Sequence, residues 1–233
     1  MNIHGPSLGI GAGIAVISIL AAFFAMNTLV VSDQPLVLEE ARDRDDESES
    51  FSGAVLTANG SPPLGDKNAP ITLVEFGDYQ CHFCNKFFHE TEHAILENYV
   101  KTGKVKIIFK DYTIIGPDSI TAALGAHCAE DQGKFWEFHD ILYNKYTGEN
   151  NGWASSENVK EFSKELGLDD KFNTCLDDKR HQAKLAASGA DAQKLGLTGT
   201  PAFFIINNNQ VTPITGAQPY EVFQRIFDAQ LQN

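Results

Sequence analysis

The stretch Ile71 to Cys84, ITLVEFGDYQCHFC, limits what this chain can fold into more than any other part of it. A short apolar run of strand length leads through a tight connection to two cysteines separated by two residues, and a helical pattern continues to about Tyr99. Cys81 is thereby placed at a helix entrance and Cys84 one turn inside. The unpaired N–H groups and the macrodipole at a helix N-terminus favour an anion. A cysteine held there has its pKa drawn down to roughly 3.5–7.5 and is a thiolate nucleophile at neutral pH. Cys84 lies within reach to close a disulfide and release a mixed-disulfide partner. The stretch predicts thiol–disulfide exchange by a redox-active Cys81–Cys84 pair, with no separate cofactor.

Zinc is the rival chemistry. Cys-x-x-Cys is half of many zinc sites, and His89-Glu90-Thr91-Glu92-His93 matches the H-E-x-x-H pattern of zinc proteases. A wheel at about 100° per residue gathers Phe83, Phe87, Phe88, Ala94, Ile95 and Tyr99 around Cys84. It leaves His89 and His93 on the opposite side with Lys86, Glu90 and Glu97. Ligands split across two faces of one helix cannot converge on an ion, so no metal is expected. In the preceding strand, Glu75 shares a face with Ile71 and Leu73. Two readings of it stay open: a buried carboxyl of raised pKa that takes the Cys84 proton, or a carboxylate that snorkels or pairs with a lysine.

Upstream, after a short flank at 1–7, Leu8 to Val31 runs for 24 residues without a charge, enough to span a hydrocarbon core of about 30 Å. It is longer than the h-region of a signal peptide, and neither a basic start nor a small-residue cleavage site flanks it, so an uncleaved anchor is expected. Because disulfides persist outside the cytosol, the globular part is expected to be extracytoplasmic, in a single-pass protein of the cell membrane. The following segment, 32–52, holds eight acidic residues against two basic ones from Asp33 to Ser50, a net −6 within a chain total of −13. Too little apolar surface is present there to fold, which makes it a solvated tether. The acidic balance also argues against nucleic acid as a partner.

Residues 53–233 have the length of one domain with an insertion. A first strand is expected near Ala54–Thr57, then strands at Ile71–Phe76 and Val105–Lys110 in a roughly parallel pairing. From about 117 to 196 the patterns are helical only. The chain then returns as a hairpin, Ala202–Ile206 and Val211–Thr215, and ends in an amphipathic helix from Pro219 to Gln230. Cys128 and Cys175 both fall in the helical stretch. An even cysteine count outside the cytosol predicts a structural disulfide between them, worth about 4 kcal/mol for a loop of about 47 residues; the alternative is two buried thiols. Thr200-Pro201 precedes a strand, and base rates favour a trans bond there.

The order strand–CxxC–helix–strand–helical insertion–Thr-Pro–hairpin–helix resembles the α/β thioredoxin fold with the helical insertion of the DsbA-like family. Val74-Glu75-Phe76 before Cys81-His82-Phe83-Cys84, then Gly199-Thr200-Pro201-Ala202-Phe203, then Gly216-Ala217-Gln218-Pro219-Tyr220 carry the likeness, over about Ala54 to the C-terminus. The resemblance implies Cys81 as the attacking and Cys84 as the resolving cysteine. It makes Glu75 the buried acid and Pro201 a cis-proline facing the disulfide. The Thr200 backbone would then bind a substrate peptide as a strand does, and Cys128 and Cys175 look like the extra disulfide of some family members. It further implies protein substrates, reduced or misoxidised exported proteins, and reoxidation by a quinone-linked membrane partner of the DsbB or VKOR type. His82 and Phe83 depart from the Pro-His pair of the strongly oxidising member. A phenyl stands where a histidinium would help the thiolate, and Thr200 is similar to reductases and isomerases as much as to oxidases. Dithiol oxidation leads, with a reductase or isomerase, or a peptide-binding chaperone module, as alternatives.

Overall fold

The computed structural model describes residues 53–208 and 210–232. The expected anchor at 8–31 and acidic tether at 32–52 lie outside the described residues. Among those described, no helix is long and apolar enough to cross a membrane.

Four strands form the sheet: β1 (Ile71–Gly77), β2 (Val105–Asp111), β3 (Ala202–Asn207) and β4 (Gln210–Thr215). Their spatial order is β2-β1-β3-β4, with β1 and β2 parallel and the remaining pairs antiparallel. β1 is buried along its whole length because both faces are covered, which is why it reads as an apolar run rather than an alternation. One face carries Ile71, Leu73, Ile107, Phe203 and Ile205 against the long helix after the cysteines and the C-terminal helix, through Phe87, Ile95, Phe223 and Phe227. Val74, Phe76, Ile108 and Phe204 line the other face, beneath Leu56 and Ala192.

The N-terminal strand expected near Ala54–Thr57 is instead a short helix, α1 (Gly53–Thr57). The edge of β2 is taken further on: Ser61 N–H donates to Phe109 O at 2.8 Å, and Leu64 and Ile107 exchange two bonds of 2.9 and 3.0 Å. Gly60 permits this approach, since a Cβ on it would meet Ile108 at 2.5 Å. With the edge filled, α1 buries Leu56 on the sheet and is held by the fully buried Lys110, whose Nζ donates to Val55 O at 2.7 Å and to Asp191 at 2.6 Å.

Helix α2 is a continuous rod of four segments, His82–Phe87, Phe88–Glu92, His93–Ile95 and Leu96–Val100, the second and fourth being π-helical. The insertion contains α3 (Pro117–Glu130), α4 (Phe135–Lys145), α5 (Ser156–Lys164), α6 (Asp170–Asp177) and α7 (Gln182–Lys194), and α8 (Tyr220–Leu231) closes the chain. Cys128 of α3 and Cys175 of α6 form the expected disulfide, with Cα atoms 5.8 Å apart and a sequence separation of 47. Phe109, Phe138, Leu142 and Phe172 pack in the same core as Cys81, Cys84 and that disulfide. The insertion therefore supplies one wall of the Cys-x-x-Cys region.

Candidate active site

β1 ends at Gly77, where a Cβ would meet the Phe109 ring at 2.4 Å, so the chain can leave the sheet closely only with glycine there. The connection Asp78-Tyr79-Gln80 is a buried polar frame. Asp78 Oδ1 accepts the Gln80 N–H at 2.9 Å, and Oδ2 accepts those of Ile114 and Ile115 at 2.9 and 3.1 Å. Gln80 donates to Ser119 Oγ at 3.0 Å and accepts from Asn150 N–H at 2.7 Å. Asn85 Nδ2 donates to Tyr143 O at 2.7 Å. Three segments of the insertion thus fix the loop that delivers the cysteines.

Cys81 is the N-cap of α2, and its Sγ accepts the Cys84 N–H at 3.4 Å. Its thiol also donates to Thr200 O at 3.3 Å. The Thr200–Pro201 bond is cis, as the resemblance implied and the base rate for X–Pro did not. Although Cys81 is only 5% exposed, its pKa is lowered to about 6. The hydrogen bond from Cys84 is the main cause, helped by Thr200 and by the N–H groups of Cys84 and Phe83, and together they outweigh burial. Cys84 has the opposite environment. Burial first, then Cys81 and Glu75, push its thiol well above the ordinary value. One sulfur is therefore ready to ionise and the other resists it.

Glu75 points into the interior at 2% exposure and does not snorkel: among the described residues no lysine pairs with it, and Oε1 has no hydrogen-bond partner. Burial, then the charge of Glu92, then Cys81, raise its pKa well above the usual carboxylate range. Glu92 is the residue that pattern reading missed. It is buried, Oε2 lacks a partner, and burial followed by Asp140 lifts its pKa to about 8. A wheel at about 100° per residue turns Glu92, eight positions on, to about 80° from Cys84, on the side of Phe88 and Tyr99, so its burial was within reach of the pattern. The signal in the sequence was a second acid, eight residues beyond Cys84, on the helix already known to carry the cysteines.

His82 and Phe83 lie beside the sulfurs but face outward. Phe83, expected on the buried face with Cys84, is 57% exposed, because it sits in the first turn, ahead of Phe87, where the helix meets the sheet. The two rings touch edge to face at 5.3 Å. His89 and His93 are exposed, as the wheel required of them. Behind the cysteines, Tyr79, Phe88, Phe109, His139 and Tyr143 form an aromatic layer, with Tyr79 Oη 3.1 Å from His139 Nδ1. Burial drives the His139 pKa down to about 3, so it is neutral there. Cys128, Cys175 and His181 cluster at metal-ligand spacing, yet both sulfurs are joined to each other and not free to ligate.

The thioredoxin family model matches residues 57–229. The chain is 29% identical over 199 residues to the probable disulfide bond formation protein D of Bacillus anthracis, covering 83% of this chain and 86% of that one. Among solved structures it is similar to oxidised BdbD from Bacillus subtilis, with a TM-score of 0.67 and 26% identity over 74% of this chain and 94% of that one. It is also similar to α-DsbA1 of Wolbachia pipientis, with a TM-score of 0.63 and 26% identity over 74% and 90% of the two chains.

Proposed function

We propose, for a chain that belongs to the thioredoxin family and is a DsbA-like thiol–disulfide oxidoreductase of disulfide bond formation, that it introduces disulfides into exported proteins while anchored to a membrane by the run 8–31. The observation that carries this reading is the split between the two cysteines: Cys81 lowered to about 6 at a helix cap, Cys84 raised and buried one turn on. A substrate thiolate attacks Cys81 Sγ of the oxidised pair, and Cys84 leaves with the electron pair and takes a proton from Glu75. The second substrate thiol, on losing its proton, attacks the substrate sulfur of the mixed disulfide and expels Cys81 as the thiolate. Cys81 is a good leaving group because its pKa is low. The Thr200 backbone beside Pro201 holds the substrate as an added strand, and His82 and Phe83 border the cleft. A quinone-linked membrane oxidase of the DsbB or VKOR type restores the disulfide, and the domain, residues 53–233, works outside the cytosol with the acidic stretch 32–52 as its solvated tether.

A thiolate of pKa about 6 stabilises the reduced form by about 1.4 kcal/mol at pH 7, equivalent to about 30 mV. Roughly 150 mV separates a strong oxidant from thioredoxin, so this shift alone does not set the direction of electron flow. The test is redox equilibrium of the full chain with glutathione, read by alkylation and intact mass. Cys81 and Cys84 are expected to exchange readily while Cys128–Cys175 resists. A potential near about −120 mV supports dithiol oxidation, and one near about −270 mV favours the reductase reading.

A further inference from the structure

Among the described residues, two buried carboxylate oxygens on the strand and helix that flank the cysteines have no hydrogen-bond partner: Oε1 of Glu75 and Oε2 of Glu92. Native cores pair nearly all such atoms, so two orphans on acids that feel each other's charge call for a use. Two ionised carboxyls do not coexist in one dry site, and the pair therefore retains a proton at neutral pH. Glu75 is sealed in the sheet face, but Glu92 stands nearer water. It floors a cavity of about 220 Å³ between α2 and α4, lined by Phe88, His89, Glu92, His93, Leu96 and Asp140. His89, His93 and Asp140 are exposed, so the mouth of this cavity opens to solvent. Neither the cavity nor Glu92 has a part in the exchange steps above.

We propose that Glu92 relays protons between this cavity and Glu75, so that Cys84 exchanges its proton with solvent through two carboxyls in series. The proposal deepens the thiol-exchange reading and rests on Glu75 serving Cys84. When a substrate thiolate attacks Cys81, the Cys81–Cys84 bond breaks, a substrate–Cys81 bond forms, and the electron pair departs on Cys84 Sγ. Cys84 takes a proton from Glu75, Glu75 takes one from Glu92, and Glu92 is refilled from solvent at the cavity mouth. Reoxidation runs the same transfers outward. Glu92 interacts through charge with Glu75 of β1, Tyr79 of the loop, and Asp140 and Tyr143 of α4; His89 and His93 of its own helix line the cavity with it, and His139 lies in the adjoining aromatic layer. Its pKa of about 8 leaves it protonated, and able to donate, at neutral pH.

The experiment is the stopped-flow rate at which the oxidised full chain is reduced by a reduced model protein dithiol, from pH 5 to 9. Glu92→Gln keeps the shape and cannot pass a proton. It is expected to slow the step about tenfold, a part of the 10²–10⁴-fold that acid–base assistance supplies. It should also remove an inflection near pH 8, and Glu92→Asp should restore that inflection. An unchanged rate and inflection in Glu92→Gln, with Glu75→Gln slow, overturns the relay and leaves the role of Glu75 standing. If Glu75→Gln is as fast as the parent, the role of Glu75 falls and the relay with it. Should either variant fold poorly, carboxyl carbon NMR on the unaltered chain decides. Two-step, mutually dependent titrations of Glu75 and Glu92 are expected, and independent single steps overturn the proposal.

Discussion

The molecule holds two pairs of cysteines that share a core and behave as opposites. Cys81 and Cys84 stand three positions apart at a helix cap, among N–H donors, a carbonyl and unpaired carboxyl oxygens. Cys128 and Cys175 stand 47 positions apart on two helices, joined amid Phe135, Phe138 and Phe172. The difference teaches that burial does not decide redox behaviour, since all four sulfurs are buried. What decides it is whether the surroundings can stabilise one thiolate and move one proton. The first pair has both provisions, and the second has only a long loop to close.

The sharpest way to break this comparison is Cys81→Ser, which is expected to lower disulfide transfer to a reduced model protein by about 10³-fold or more. The Cys128→Ala/Cys175→Ala double variant should transfer at the parent rate well below its melting temperature. Comparable losses in both, measured side by side, would abolish the division of labour. Next in size, the double variant is expected to lose about 2–5 kcal/mol of stability in urea unfolding, whereas Cys81→Ser loses little. A smaller effect is the pH profile of Cys81 alkylation. Its pKa of about 6 makes the rate level above that pH and falling about tenfold per unit below it, with Cys84 unlabelled. A midpoint near the ordinary thiol value would show that the cap does not act.

The smallest expected effect sharpens the structural side. His127 of α3, one residue before Cys128, is buried between Asp111 Oδ2 at 2.7 Å and Glu130 Oε2 at 2.6 Å. Burial pulls its pKa down, but Asp111 and Glu130 outweigh this and raise it. A raised folded pKa contributes stability that is complete below the unfolded value and is lost as pH rises through the folded value. Urea midpoints of the parent should therefore drop from mildly acidic to alkaline pH more steeply than those of His127→Gln. Parallel profiles would remove His127 from the account.

The parts legible in the sequence were those set by local pattern. Ile71–Phe76 and Val105–Lys110 announced strands by apolar runs of strand length, the insertion announced itself by helical periodicity, and Cys81 by its spacing from Cys84. Glu75 was visible because a period of two puts it beside Ile71 and Leu73. What stayed hidden depended on partners far along the chain. α1 is helical because Ser61 and Leu64 occupy the edge that it would have paired with. Glu92 lies on the side of α2 that the wheel gives to Cys84, but its burial beside Asp140 of the insertion is not visible in any local pattern. Asp78 and Gln80 read as turn residues, and their partners at Ile114, Ile115, Ser119 and Asn150 exist only once the insertion has folded.

That frame has a consequence for anyone who would rebuild the protein. Asp78, Gln80 and Asn85 fasten the cysteine loop to the insertion and to the connection leading into it, so the Cys-x-x-Cys segment is not a detachable cassette. Grafting it onto a plain four-stranded scaffold would carry the sulfurs across and leave their alignment behind. Conversely, the insertion tolerates redesign only where its inner surface keeps Ser119, Tyr143 and Asn150 in register. Modularity here ends at the strands; the helices beyond them are part of the same machine tool that holds the blade.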